Sequence, residues 1–130
     1  MTIALSLPLP PPVNNLFFNL PNRGRAKTAK YESWIRAADG AIQVQAKGQR
    51  LVSGNWICHI ICDEDQRRGD IDNRTKAVID RLVHSQLVPD DRYLDRITIE
   101  WGHIDMEVEH VPRGCRVYAW TTAEKTPDTG

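Results

Sequence analysis

The sequence contains no apolar run long enough to span a membrane, and its first residues lack the basic start and cleavage site of a secretory signal peptide. Cysteine is scarce: the chain has three, an odd number, and their spacing is not that of a disulfide framework. The net charge is zero, so composition alone gives no support to a nucleic-acid partner. These absences predict a cytoplasmic protein that has no membrane association.

The charge is unevenly distributed along the chain. Residues 1–62 carry seven Lys and Arg against two Asp and Glu, a net of +5, whereas residues 63–130 carry ten against fifteen, a net of −5. Such a division can place a phosphate-binding surface beside a metal site. It is equally typical of an ordinary uneven protein surface.

Hydrophobic periodicity predicts one α+β domain over residues 1–122, with a small mixed four-stranded sheet and two main helices in the order β-α-β-α-β-β. The helices are predicted from Thr28 to about Gly48 and from about Asp72 to His84. The predicted strands are TIALSLPL, GNWICHIIC, LDRITIEWGHI and CRVYAWTT. The segment PLPPPVNNLFFNLPNRGR is predicted to be a long loop, HVPRG a turn and residues 123–130 a disordered tail.

The segment QRRGDIDNRTKAVID holds a candidate acidic centre. Asp70 and Asp72 point to the same side of an extended chain, and a cation between them would relieve their repulsion. Mg²⁺ combines carboxylates with water and phosphate oxygens, and Lys76, one helical turn later, could stabilise charge on a phosphate. The alternative is structural, with Asp72 as an N-cap and an Asp72–Lys76 surface pair worth roughly a few tenths of a kcal/mol.

A second acidic pair, Asp90 and Asp91, follows the second predicted helix and a proline turn. A third carboxylate arriving on such a loop would complete a metal site, although acidic residues are also common in solvated turns. The sequence leaves both alternatives open, because it does not show whether the two acidic loops meet.

Other metal sites are disfavoured by the spacing of the candidate ligands. Asp63 and Asp65 are followed neither by the glycine nor by the glutamate that a calcium loop needs. Cys58 and Cys62 lie within a predicted strand, far along the chain from Cys115, so small core residues are a better interpretation than zinc ligands.

Four segments in order resemble the RusA family of Holliday junction resolvases, small endonucleases of bacteria and their phages. LPLPPPVNN is similar to the opening strand and Pro-Pro-x-Asn-Asn loop of the family, and RGRAKTAKYESW to its basic loop and first helix. RRGDIDNRTKAVIDRL resembles the D-x-D-N-x-x-K segment, and LVPDDRYLDRITIEW the Asp-Asp turn and next strand. The resemblance covers most of the chain up to about Trp101.

The resemblance implies a homodimer that binds four-way DNA junctions and cuts two strands symmetrically, with Mg²⁺ or alternatively Mn²⁺ as cofactor. Asp70, Asp72 and Asp91 would be metal ligands, with Asp90 as a further candidate, and Lys76 would be the catalytic lysine. The DNA-binding residues would be Arg23, Arg25, Lys27, Lys30, Arg67, Arg68 and Asn73. The Asn73 side chain could also form a hydrogen bond across the helix start. Two alternatives remain open: another metal-dependent phosphodiesterase acting on flaps or RNA, and a non-catalytic nucleic-acid-binding module.

Overall fold

The computed structural model describes residues 1–51, 54–105 and 112–122, and the tail predicted at residues 123–130 lies outside them. Within these ranges the chain forms six strands and two α-helices. The strands are β1 (Thr2–Leu7), β2 (Phe17–Leu20), β3 (Gly24–Lys27), β4 (Trp56–Asp63), β5 (Leu94–Gly102) and β6 (Cys115–Thr121), and the helices are α1 (Ala29–Ala46) and α2 (Thr75–His84). One sheet has the order β1-β6-β4-β5 and a second pairs β2 with β3.

The four-stranded sheet is mixed, because β4 pairs in parallel with β5 and antiparallel with β6, which in turn pairs antiparallel with β1. The predicted α+β class, with a mixed four-stranded sheet and two helices, is therefore confirmed. Alternate residues of β4 are buried, as expected for a strand with one face on the core. They are Trp56, Cys58, Ile60 and Cys62, which form one hydrophobic cluster with buried residues of both helices.

Helix α1 begins and ends as its sequence predicts. The Thr28 hydroxyl accepts a hydrogen bond from the Tyr31 backbone N–H at 3.1 Å and caps the first turn. Tyr31, Trp34, Ala38, Ile42 and Ala46 form its buried face. The helix ends where Lys47 and Gly48 take left-handed φ values of 51° and 80°.

The prediction of a structureless loop over residues 8–25 is wrong in its second half, where β2 and β3 form a hairpin. Asn22 and Gly24 supply left-handed φ values of 58° and 81° for the tight turn. The Phe17 ring packs edge-on against Tyr31 at 5.7 Å, so contact with α1 stabilises a hairpin that the surrounding prolines, asparagines and glycine do not predict. The other boundaries shift by a few residues, and part of the predicted HVPRG turn lies outside the described residues.

The start of the second helix also differs from the prediction. Residues Asp72–Arg74 form a 3₁₀ turn, and α2 itself begins at Thr75 rather than at Asp72. In the described ranges, neither helix is long and apolar enough to cross a bilayer.

The three cysteines are buried and unpaired, as the sequence predicts. Burial raises the pKa of Cys58 to about 12 and that of Cys62 to about 11, and it also raises the pKa of Cys115. A thiol with a pKa near 12 is ionised to roughly one part in ten thousand at pH 8, and the thiolate is the reactive form.

We therefore expect iodoacetamide at pH 8 to leave all three thiols of the native protein unmodified over the time in which it alkylates the urea-unfolded chain completely. Mass spectrometry after quenching measures the number of modified cysteines in each sample. Rapid alkylation of the native protein at one cysteine would contradict the burial of that thiol.

Candidate active site

The segment that carries Asp70 and Asp72 connects β4 to α2, and both carboxylates are exposed to solvent. Neither the 3₁₀ turn at Asp72–Arg74 nor α2 has a side-chain cap in this part of the described chain. The alternative in which Asp72 acts as an N-cap is therefore not observed, and the Asp72 carboxylate is available for another role.

Lys76 forms its ion pair with Asp80, four residues further along α2, with 3.3 Å between Nζ and Oδ2. Both side chains are substantially exposed, so this pair contributes only about 0.3–0.5 kcal/mol to stability. Lys76 and Asp80 are four residues apart within α2, which places them on the same side of the helix, and Asp72 precedes the helix in the 3₁₀ turn. In this structure the ammonium group of Lys76 therefore lies next to Asp80.

Arg74 organises the backbone around Asp70. Its guanidinium is buried and donates two hydrogen bonds, from Nη1 to the Pro10 carbonyl at 2.7 Å and from Nη2 to the Arg68 carbonyl at 2.6 Å. It also lies 5.7 Å from the ring of Trp101 near the end of β5. Burial lowers the pKa of Arg74, although the group stays cationic. One side chain thereby fixes the proline-rich loop and the segment before Asp70 to the end of the sheet.

Gly69 completes this arrangement. It adopts a left-handed φ of 65°, and a Cβ atom at this position would lie 3.5 Å from Nη2 of Arg74. The glycine lets the chain turn between the carbonyl that Arg74 binds and the carboxylate of Asp70.

The second acidic pair lies in the turn before β5. The Asp90 side chain caps the 3₁₀ turn Asp91–Tyr93 by accepting a hydrogen bond from the Arg92 backbone N–H. A hydrogen bond between the two carboxyl groups lowers the pKa of Asp90 and raises that of Asp91, and nearby Asp80 raises the pKa of Asp91 further. This crowding of negative charge is what a bound cation would relieve.

Asp91 shares a cavity of about 340 Å³ with Asp80 and with residues from the hairpin and α1. Lys27 of β3 and the buried Tyr31 of α1 line the same cavity. The structure therefore brings one predicted DNA-binding cation and one predicted metal ligand to the same depression.

The remaining predicted DNA-binding cations lie on two neighbouring surfaces. Arg23 and Arg25 are on the exposed hairpin, and the guanidinium of Arg25 lies 4.8 Å from the Phe17 ring centroid. Lys30 and Arg68 line one cavity of about 370 Å³, walled by Pro10–Pro12 and Trp34. Arg67, just before Arg68, is exposed.

Asn73 is half-buried in the 3₁₀ turn between Asp72 and Arg74. Its Oδ1 atom is buried and has no hydrogen-bond partner among the described residues. The bond across the helix start that the sequence suggests is therefore not made through this oxygen.

The structure does not bring the three predicted metal ligands together within one chain. Across residues 1–51, 54–105 and 112–122, no three His, Cys, Asp or Glu side chains form a group that could hold a metal ion. Asp70 and Asp72 lie before α2, whereas Asp91 is close to Asp80 in the second half of that helix.

The sequence-based interpretation misses three residues that contribute to this region, Asp80, Arg74 and Trp56. Asp80 was detectable, because it continues the four-residue spacing of Asp72 and Lys76. Arg74 resembles a surface helix residue in the sequence, and only the tertiary structure shows that it is buried. Trp56, which donates from its indole Nε1 to the Asp90 carbonyl at 3.2 Å, gives no signal beyond that of a core residue.

Fold and surface together define a small α+β protein with a depression lined by both carboxylates and cations, and a second one lined by cations. The model of one family, Endodeoxyribonuclease RusA, matches residues 8–113, a range that includes every candidate residue named above. The chain belongs to this family, and it is accordingly an endodeoxyribonuclease of the kind that resolves Holliday junctions. No curated protein matches the sequence.

Proposed function

We propose that this protein is a Mg²⁺-dependent endonuclease that resolves four-way DNA junctions by paired symmetric nicks, in recombination and repair. The observation that carries the proposal is the family match over residues 8–113 together with the exposure of the motif residues within it. Asp70, Asp72, Lys76 and Asp91 are all at the surface, where a phosphodiester backbone can reach them.

The proposed ligand set consists of carboxylates, Asp70, Asp72 and Asp91, with Asp90 as a neighbour. Oxygen-only ligands suit Mg²⁺, and Mn²⁺ is the closest alternative. When bound, such an ion would activate water and neutralise charge on the phosphate. The chemistry of the ligands fits the ion, whereas within the described residues of a single chain the three carboxylates do not form one group that could hold it.

The side chains of the protein have roles that depend on charge and position. Lys76, which pairs with Asp80, would stabilise the negative charge that develops on the phosphate during cleavage. The cations on the hairpin, on α1 and before Asp70 would bind neighbouring phosphates, which fix the register of DNA without reading its sequence. These cations are Arg23, Arg25, Lys27, Lys30, Arg67 and Arg68. A homodimer supplies the two equivalent sites that two symmetric cuts require.

The experiment that tests the proposed function compares a labelled four-way junction with a linear duplex of the same arm sequence, each with Mg²⁺ and with EDTA. We expect symmetric nicks in the junction only, and only with Mg²⁺. Equal cutting of junction and duplex would replace the proposal with a general nuclease, and preferential cutting of flaps or RNA would replace it with another phosphodiesterase. Binding of the junction without cutting under Mg²⁺ or Mn²⁺ would leave a non-catalytic binding module.

A further inference from the structure

We infer that the cavity between the proline-rich loop (residues 8–12), α1 and the segment before Asp70 binds one unpaired nucleotide of the DNA, with the phosphate on Lys30 and Arg68 and the base against the proline rings. The inference rests on the proposed function, because it concerns the same DNA substrate. We call this cavity the proline pocket. Its volume of about 370 Å³ lies in the range of roughly 300–1,000 Å³ that is usual for small-molecule sites.

The lining of the proline pocket combines apolar walls with positive charge. The apolar walls come from Trp34 and the three consecutive prolines Pro10–Pro12. The cations are Lys30, Arg68 and Arg74, and none of the described residues that line the pocket is acidic. A ligand that matches both features has an apolar, flat face and a negative charge. A nucleotide has both, in its base and its phosphate.

The walls of the proline pocket are preformed. Pro10 and Pro11 are buried, and each proline ring fixes the backbone φ of its residue. Trp34 donates from its indole Nε1 to the Pro8 carbonyl at 3.1 Å, and Arg74 donates from Nη1 to the Pro10 carbonyl at 2.7 Å. Because these bonds already order the loop, a ligand would lose little binding free energy to ordering it.

The positive charges of the pocket are available to a ligand. Lys30 and Arg68 are exposed, and neither forms an ion pair with another described residue. Arg74 is buried, and its Nε atom has no hydrogen-bond partner among the described residues. Phosphate oxygens form strong, charge-assisted hydrogen bonds with ammonium and guanidinium groups. These three cations therefore favour a phosphate as the anionic part of the ligand.

The proline pocket adjoins the proposed acidic centre. Gly69 lines the pocket, and Asp70 is the next residue, with about 3.8 Å between the two Cα atoms. Successive phosphates of one strand are only about 3.4 Å apart along the axis of a duplex. A strand whose scissile phosphate lies at Asp70 therefore has a neighbouring nucleotide within reach of the pocket.

Only an unstacked nucleotide can enter a pocket of this kind. In a linear duplex every base is paired and stacked, so its extrusion is costly, whereas a base that is already unpaired enters at a lower cost. Stacking is interrupted at the branch point of a four-way junction. The proline pocket therefore favours branched DNA over a linear duplex.

The test uses the ¹⁵N-labelled protein and three probes, deoxyadenosine monophosphate, inorganic phosphate and deoxyadenosine. The NMR signal of the Trp34 indole N–H reports on the pocket, and that of Trp120, which does not line it, is the internal control. We expect the nucleotide to shift the Trp34 signal and to leave the Trp120 signal unchanged. Its Kd should be about tenfold lower than that of phosphate or of the nucleoside, because only the nucleotide contacts both parts of the pocket.

Two variants separate the two parts of the site. Lys30→Gln should raise the Kd of the nucleotide about fivefold, because it removes a charge-assisted contact to the phosphate. The matched control is Arg36→Gln, an exposed position of the same helix that does not line the pocket, and it should change neither binding nor cutting. Pro12→Ala should weaken nucleotide binding about threefold and leave phosphate binding unchanged, because it removes apolar surface only.

Equal affinities for the nucleotide and for phosphate would overturn the inference, and so would equal effects of Lys30→Gln and Arg36→Gln. An unchanged Trp34 signal at saturating nucleotide would also overturn it. A protein that binds the nucleotide as expected but cuts no junction would refute the proposed function and leave the nucleotide site standing. A protein that cuts junctions but binds no nucleotide would do the reverse.

Discussion

An Asp70→Asn variant is expected to lose about a thousandfold or more of the Mg²⁺-dependent rate of junction cutting, while it binds the junction at least as tightly as the wild type does. Loss of a carboxylate ligand removes metal-derived stabilisation of the transition state that is worth several kcal/mol, and each 1.36 kcal/mol is about tenfold in rate. The same change removes a negative charge that repels the DNA backbone, so affinity in EDTA should be unchanged or higher. Single-turnover cleavage and electrophoretic mobility shifts measure the two effects.

The matched control for this prediction is Glu64→Gln. Glu64 is exposed in the same connection after β4 and loses the same charge, but it lies outside the proposed site. We expect this variant to cut at the wild-type rate. If Asp70→Asn keeps its activity, or if the folded variant no longer binds the junction, the assignment of Asp70 to the active site is wrong.

A Trp56→Ala variant is expected to lower the free energy of unfolding by about 3–5 kcal/mol, the usual cost of truncating a fully buried aromatic side chain. Trp56 has no solvent exposure and lies at the start of the central strand. For a domain of this size such a loss is a large fraction of the total stability. Urea unfolding followed by circular dichroism measures it.

The milder Trp56→Phe variant separates packing from the hydrogen bond to Asp90. It keeps most of the buried ring and loses the indole N–H that binds the Asp90 carbonyl, at a cost of about 1 kcal/mol in addition to the smaller ring. Trp120→Phe is the control, because Trp120 is also buried and its Nε1 has no partner among the described residues. Equal destabilisation by the two changes would show that the bond to Asp90 contributes nothing.

The two Trp→Phe variants also bear on activity. Because the Trp56 indole fixes the turn that carries Asp91, Trp56→Phe should lower the cutting rate while the overall fold is kept, and Trp120→Phe should not. This expectation connects a core residue to the proposed site through one hydrogen bond.

Much of the fold is predictable because its signals are local. The β-branched and aromatic residues of β4, the spacing of apolar residues in α1 and the glycine at Gly48 that ends this helix are patterns of one strand or one helix. The hairpin of β2 and β3 is not predictable in this way, because its two short strands are stabilised by Phe17 packing against Tyr31, a contact with another element. The prolines and asparagines of this segment correctly indicate its turns, but they give no indication of its two strands.

The candidate site likewise has parts that the sequence predicts and parts that it does not. The spacing of Asp70, Asp72 and Lys76 is visible in the sequence, and so is the resemblance to the RusA family that rests on it. The family match confirms this resemblance. The role of Arg74 does not follow from it, since a basic residue at a helix start is normally a solvated one. Its burial depends on two backbone carbonyls, those of Pro10 and Arg68, of which the first is distant along the chain.

By itself the sequence determined the α+β class and the family, and it predicted which residues would carry the chemistry, because side-chain type and spacing are properties of the chain alone. Only the tertiary structure decided where those residues lie. It placed Asp70 and Asp72 toward one end of the parallel strands β4 and β5 and Asp91 toward the other. The physical reason is the crossover through α2, which carries the chain back along the full length of β4 before β5 can run parallel to it.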